Sequence, residues 1–264
     1  MRSFLRWAGS KKQLLPILEK YWRESFSTYI EPFAGSSCLF FHLEPQAAVL
    51  GDINGELIGA LRAVRLDVTK VIECLRRLPR SKKSYYHIRR QQPSQLGLFE
   101  AAARFLYLNS LCFNGLYRTN ASGLFNVPYC PPGHKTVRED LLIAASLRLK
   151  SATLVCGDFE KTVDLAAAGD FVYLDPPYAV PRRRVFSEYG PTIFQANDLL
   201  RLDGVLTALD HRGAKFVVSY ADCAKARSVF KRWVVRRVWT KRNIAGFTGD
   251  RRGSYELLAT NLEK

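Results

Sequence analysis

Residues 171–178, FVYLDPPY, constrain the fold more than any other stretch of this chain. The apolar run 171–174 is short and carries aromatic and β-branched side chains, as expected of a strand buried on both faces of a parallel sheet. Pro176 and Pro177 forbid its continuation, because each lacks an N–H and fixes φ. The chain must leave the sheet at the carboxyl end of that strand, which is the edge where open α/β sheets bind ligands. It presents there the Asp175 carboxylate, the carbonyls of Pro176 and Pro177, and the ring of Tyr178. Pro-Pro is also common turn punctuation, so a strand followed by a plain turn is the competing reading. The functional reading is a site for a planar base with an exocyclic amine, which needs an acceptor oxygen, a carbonyl and a stacking ring.

Strand-like runs recur at 28–32, 47–51, 152–156, 170–174, 214–219, 233–239 and 254–260, with helical patterns between several of them. The segment 11–22 has apolar positions close to one helical face, with Pro16 expected in its first turn or kinking it. In 195–212, Leu199, Leu202, Leu206 and Leu209 recur at helical spacing. This alternation predicts a mostly parallel, doubly wound α/β sheet. It fails between about 58 and 150, where helices are expected at 67–78, 83–92 and 99–112, followed by a Gly/Asn/Pro-rich loop or hairpin at 114–133. The expected division is a core of 1–57 and 145–264 carrying a helical insertion of 58–144. The insertion is rich in basic residues: Arg76, Arg77, Arg80, Lys82, Lys83, Arg89, Arg90, Arg104 and Arg118.

The chain has 264 residues, a net charge of +16 and 47% hydrophobic residues, enough for a large core. Such a charge favours a polyanionic partner, nucleic acid before an anionic membrane. The six cysteines (38, 74, 112, 130, 156, 223) form no CxxC pair, and the four histidines show no metal spacing. We expect reduced, mostly buried thiols, no metal, and a cytoplasmic protein. The start lacks the apolar core of a signal peptide, and no stretch reaches the roughly 20 apolar residues of a membrane span.

Three further strand ends carry polar residues. At 29–37, YIEPFAGSS, small residues follow a strand and lead into a helix, so a ligand can approach the backbone near Phe33 and Gly35. A tight βα turn reads the same way. The next strand ends at Asp52, placed to accept from a ribose diol, although Asp52 or Asn54 could equally cap a helix. Asp158-Phe159 ends another strand and is open between bracketing an adenine ring and capping.

The segments FLRWAGSKK, EPFAGSS, GDIN, FLYLN…FNGLYRTNASGLFNVPY, GDF and FVYLDPPY occur in the order found in the DNA adenine methylase family, the D12 class (α-group) of N6-adenine methyltransferases, and the chain resembles that family over nearly its whole length. The resemblance implies a Rossmann-like catalytic domain with an inserted DNA-recognition domain. It implies S-adenosylmethionine as cofactor, S-adenosylhomocysteine as product, and double-stranded DNA as substrate. It puts Trp7, Lys11, Phe33, Gly35, Asp52, Asp158 and Phe159 at the cofactor and Asp175, Pro176, Pro177 and Tyr178 at the target base. Asn114, Leu116, Arg118 and Asn120 would lie at DNA, with Arg118 at a guanine of a GATC-type site. Arg182, Arg183 and Arg184, in a long segment after the motif, are expected near phosphates, as is the basic stretch 241–253. Ser10 and Ser37 stand where many members have glycine. Without the resemblance, Trp7 reads as a core aromatic and Lys11 as a solvated lysine.

On that reading the base is unstacked from the duplex at a cost of roughly a few kcal/mol, and Tyr178 stacks on it. Asp175 and the Pro176 carbonyl accept its two N6–H bonds. The methyl is transferred directly, with no covalent enzyme intermediate, mostly through alignment and charge placement. The alternatives are N4-cytosine or RNA N6-adenine methylation, or a DNA-binding relic without transferase activity. The expected unit is a monomer, and a cognate restriction nuclease is compatible with the resemblance without being indicated by the sequence.

Overall fold

In a computed structural model, residues 1–120, 122–130, 137–178, 194–241 and 253–262 are described. The calls on Arg182, Arg183, Arg184 and most of the basic stretch 241–253 lie outside them. The apolar runs form β1 (Tyr29–Glu31), β2 (Ala48–Asp52), β3 (Ala152–Cys156), β4 (Phe171–Leu174), β5 (Lys215–Ala221), β6 (Val234–Lys241) and β7 (Gly253–Thr260). Each of the seven expected strands is present within two residues of its expected bounds.

They make one sheet in the order β3-β2-β1-β4-β5-β7-β6, with only β7 antiparallel to its neighbours. This is a Rossmann-like, mostly parallel sheet. Its two faces are read directly from residue parity. Tyr29, Phe171, Tyr173, Val217 and Leu258 belong to one core cluster. Their alternates Ile30, Val172, Phe216, Val218 and Leu257 belong to the other. Burial on both faces is what lets these strands be apolar throughout.

The helices follow from the same logic. The segment 11–22 yields only α1 (Leu15–Leu18) and a 3₁₀ turn, Glu19–Tyr21. Pro16 lies in the first turn of α1 as expected, but no side chain caps the helix, so it stays short. α2 (Cys38–Leu43) opens after Ser37, whose φ of 47° is left-handed. α3 (Gly55–Leu66) is capped by the Asn54 side chain, which accepts from Leu57 N at 3.1 Å. α4 (Val68–Arg76), α5 (Lys82–Arg90) and α6 (Leu98–Leu111) are the helices expected between 67 and 112. α7 (Glu139–Leu149) returns the chain to β3. α3 and α7 each cross a boundary expected from the sequence, and both pack on β3 and on each other. α8 (Phe159–Val163), α9 (Ala196–His211) and α10 (Ala224–Val229) complete the second face.

The Gly/Asn-rich stretch after α6 is a hairpin-like loop. Antiparallel bridges join Thr119 to Phe125 and Cys112 to Tyr129. Its base is fixed from α5, where Tyr85 Oη donates to Val127 O at 2.9 Å and Arg89 Nη1 to the Asn126 and Val127 carbonyls.

Two basic residues of the insertion are paired with carboxylates, and the expectation of mostly buried thiols needs correcting. Arg104 is only 1% exposed, donating to Glu56 and to the Ile88 and Arg89 carbonyls, so it holds helices together and is not a surface cation. Arg76 is paired with Glu139. Of the six thiols, Cys38 and Cys112 are buried, three are half-buried and Cys156 is exposed.

Candidate functional site

The carboxyl ends of β1, β2, β4 and β5 converge on one edge. Register places Leu174 beside Val218, so Asp175 lies next to Ser219 on the neighbouring strand. Asp175 Oδ1 accepts from Ser219 Oγ at 3.1 Å and pairs with Lys11 Nζ at 2.6 Å. Lys11 is 7% exposed; its ammonium also donates to Gly9 O and sits 5.1 Å from the centre of the Tyr178 ring. Tyr178 in turn packs edge-on against Tyr220 at 5.1 Å. The solvated lysine suggested by the residue alone is therefore a buried one, bonded to the carboxylate of the DPPY motif.

The electrostatics follow from this burial. Desolvation works against the Lys11 ammonium, yet Asp175, with Tyr178 and Glu256, raises its pKa above the ordinary lysine range. Desolvation raises Asp175 above the usual carboxylate range, while Lys11 and Ser219 pull it back. Glu31, at the end of β1, is 3% exposed and accepts from Tyr29 Oη at 3.0 Å. Burial, with the nearby Asp175 and Asp52 charges, holds it well above its ordinary value. The edge thus contains one lysine kept charged among carboxyl groups biased towards protonation.

The second half of the site lies across β1 and β2. Asp52 accepts from Gly35 N through Oδ2 and from Asn54 N through Oδ1, both at 2.9 Å. A backbone bond from Ile53 is the third, so the carboxylate's four lone pairs leave room for one ligand hydroxyl. Of the two residues that could cap, it is Asn54 that caps α3. Gly35 has φ +46°, and a Cβ there would lie 2.8 Å from Trp7 Nε1. The indole packs on this glycine and stacks on Tyr117 at 6.0 Å and 19°. Ser10 lies outside the left-handed residues, whereas Ser37 adopts that conformation in full. The Ser37 hydroxyl is buried and has no hydrogen-bond partner among the described residues. Phe33 stacks on Phe159 at 5.2 Å, with Phe194 against both. Asp158 both caps α8 and pairs with Arg201, whose guanidinium lies over Phe159.

Strand ends therefore bring Trp7, Gly35 and Asp52 together through direct contacts, and Lys11 with Asp175 and Tyr178. Phe33, Asp158 and Phe159 form a neighbouring cluster. Asn114, Leu116, Arg118 and Asn120 stand apart on the hairpin. Asn114 is exposed at φ +53°. Arg118 Nε donates to Asn126 Oδ1 at 2.7 Å. The Asn120 side chain accepts from Ser122 N and Leu124 N, so it shapes the hairpin tip.

Sequence reasoning missed Ser219, Tyr173, Glu31, Phe194 and Arg201. Ser219 carried a signal, being a polar residue within the apolar run KFVVSYA, where burial demands a partner. Among the described residues no group of three or more His, Cys, Asp or Glu side chains is arranged to hold a metal ion. Nor is any helix among them long and apolar enough to cross a membrane.

A parallel sheet in this order, with a carboxylate–Pro-Pro–Tyr edge beside a glycine turn and an acidic strand end, defines a Rossmann-like methyltransferase. Residues 7–244 match the family of D12 class N6 adenine-specific DNA methyltransferases, and the chain belongs to that family. It is 33% identical to the type II methyltransferase M1.LlaDCHI of Lactococcus lactis subsp. cremoris, over 99% of this chain and 95% of that one. It is 34% identical to the type II methyltransferase M.MjaIII of Methanocaldococcus jannaschii over 99% of each. It is 28% identical to the DNA adenine methylase of Escherichia coli K12 over 98% of this chain and 94% of that one. The chain is accordingly a DNA adenine methyltransferase, and its family is S-adenosylmethionine-dependent.

Proposed function

We propose that this chain is a site-specific enzyme that methylates N6 of an adenine turned out of duplex DNA, within a GATC-type sequence. The observation that carries the reading is the Asp175 carboxylate. Its Oδ1 is occupied by Lys11 and Ser219, and none of the described residues bonds Oδ2. Oδ2 and the Pro176 carbonyl would accept the two N6–H bonds of the target adenine, drawing its lone pair out of conjugation. Tyr178, held edge-on by Tyr220, would cover the base face and offset part of the unstacking cost.

The glycine turn and Asp52 fit S-adenosylmethionine. Gly35 lets Trp7 pack closely on the turn, Asp52 keeps acceptor capacity for a ribose diol, and the Ser37 hydroxyl, without a partner among the described residues, lies at the same turn. Bound there, the cofactor supplies an electrophilic methyl on sulfonium sulfur. The protein's part is to align N6 with that methyl, exclude water and receive the amine's hydrogen bonds. Lys11 would stay paired with Asp175, and the proton released from the methylated N6 would pass to that carboxylate or on to solvent.

Residues 58–144 would act as the recognition unit, with α3 and α7 connecting it to the sheet. Arg118 has Nε fixed by Asn126, which suits a guanidinium that presents its other nitrogens to guanine O6 and N7. Monomeric action, a cytoplasmic location and use without metal complete the proposal. The test is to express the protein in a host lacking DNA methylation and sequence the DNA for modified bases. N6-methyladenine within one short motif is expected; N4-methylcytosine, or no modified DNA, would overturn the reading.

A further inference from the structure

Behind the Asp175 carboxylate runs a buried chain of hydroxyls that the transfer reaction as described does not use. Tyr173 Oη and Ser219 Oγ are 2.9 Å apart, and Ser219 Oγ is 3.1 Å from Asp175 Oδ1. Tyr173 is 1% and Ser219 0% exposed, so neither hydroxyl has water as an alternative partner. The two residues come from adjacent strands, β4 and β5, whose paired backbones fix the spacing. An ionised carboxylate only accepts, so Ser219 must spend its single hydrogen on Asp175. Tyr173 must then be the donor to Ser219. The polarity Tyr173→Ser219→Asp175 is thus set by the charge at its end.

We propose that Ser219, backed by Tyr173, is a positioning residue that orients Asp175 by occupying Oδ1 and leaving Oδ2 to the target amine. The proposal rests on Asp175 being the acceptor for that amine. A hydroxyl donor to the carboxylate also favours its charged form, in a pocket where desolvation disfavours it. The other groups facing Asp175 are Lys11 from the N-terminal segment, Glu31 from β1, Cys38 from α2 and Tyr178 beyond β4. Lys11 alone among these is cationic. Removing the Ser219 hydroxyl therefore leaves Asp175 with one donor among acidic neighbours.

The test is kcat against pH on duplex DNA for the parent, Ser219→Ala, Ser219→Thr and Tyr173→Phe. The acid limb of kcat reports the ionisation of the complexed enzyme. Ser219→Ala is expected to move that limb up by about one pH unit. KM for S-adenosylmethionine should stay within twofold of the parent. Tyr173→Phe, which keeps the ring that fills the core, should move it the same way by less, and Ser219→Thr should restore it. An acid limb unmoved in both Ser219→Ala and Tyr173→Phe overturns the proposal. So does a loss of kcat that is equal at every pH, which would assign the hydroxyls to packing alone. Asp175→Ala, which removes the acceptor oxygens altogether, separates the two levels in the same assay. If that variant stays active, the acceptor role itself fails; if it is inactive while the limb is unmoved, only the positioning chain fails.

Discussion

Lys11 Nζ lies 2.6 Å from Asp175 Oδ1, so the WAGSKK segment and the DPPY motif, 164 positions apart in sequence, meet in one ion pair. Both groups are largely withdrawn from water, with side-chain exposures of 7% and 20%. Breaking a buried pair by deleting one partner costs about 3–5 kcal/mol, because a charge is left uncompensated. Lys11→Met should therefore lower Tm by roughly 10 °C. Lys11→Met combined with Asp175→Asn should recover part of that loss. Thermal denaturation of the two single variants and the double variant checks this, and strictly additive losses would mean the pair is not coupled.

The glycine turn should be the most sensitive point for cofactor binding. At Gly35 an added methyl would combine a left-handed φ with a 2.8 Å approach to the Trp7 indole. Gly35→Ala should weaken S-adenosylmethionine binding by at least tenfold in calorimetry and leave duplex binding within about twofold. Parent-like cofactor affinity would move the cofactor away from this turn.

Glu31 gives the protein a pH-dependent stability term. Its folded pKa is raised by burial above the unfolded value near 4.5. The stabilisation is therefore complete below that unfolded value and is lost as pH rises towards and through the folded one. Glu31→Gln removes the titration, so its Tm should gain on the parent's between pH 5 and pH 8. A constant Tm difference across that range would show that Glu31 ionises normally.

How far the sequence disclosed this architecture depends on what each signal reports. The strands were legible because burial on both faces leaves little choice but apolar runs, as in Phe171–Leu174. The methyltransferase family was legible from motifs in order. Local pattern could not show that Arg104 is buried by Glu56 and two helix carbonyls, since a lone arginine in a helix looks the same inside or out. Lys11 is the same case: its environment is made by Asp175 and Tyr178 just beyond β4 and by Glu256 on β7. Helix 11–22 was overestimated because periodicity ignores capping. Ser37 shows the opposite, a departure from glycine that the fold accommodates at φ 47° with its hydroxyl buried.

Arg118 discriminates base reading from phosphate binding. If it reads guanine, Arg118→Ala should cost about 1–3 kcal/mol on the cognate site and relax the choice of base at one position. Adenine methylation should persist. Methylation rates on duplexes carrying single substitutions check this; equal loss on cognate and substituted duplexes would assign Arg118 to the backbone.

The central claim, that Asp175 accepts the target amine, is tested most directly by one measurement. Parent and Asp175→Ala proteins, both confirmed folded by circular dichroism, are incubated with labelled S-adenosylmethionine and duplex DNA, and the digested nucleosides are quantified. The account predicts N6-methyladenine from the parent and a rate reduced by well over tenfold in the variant. Turnover by Asp175→Ala within tenfold of the parent would contradict it.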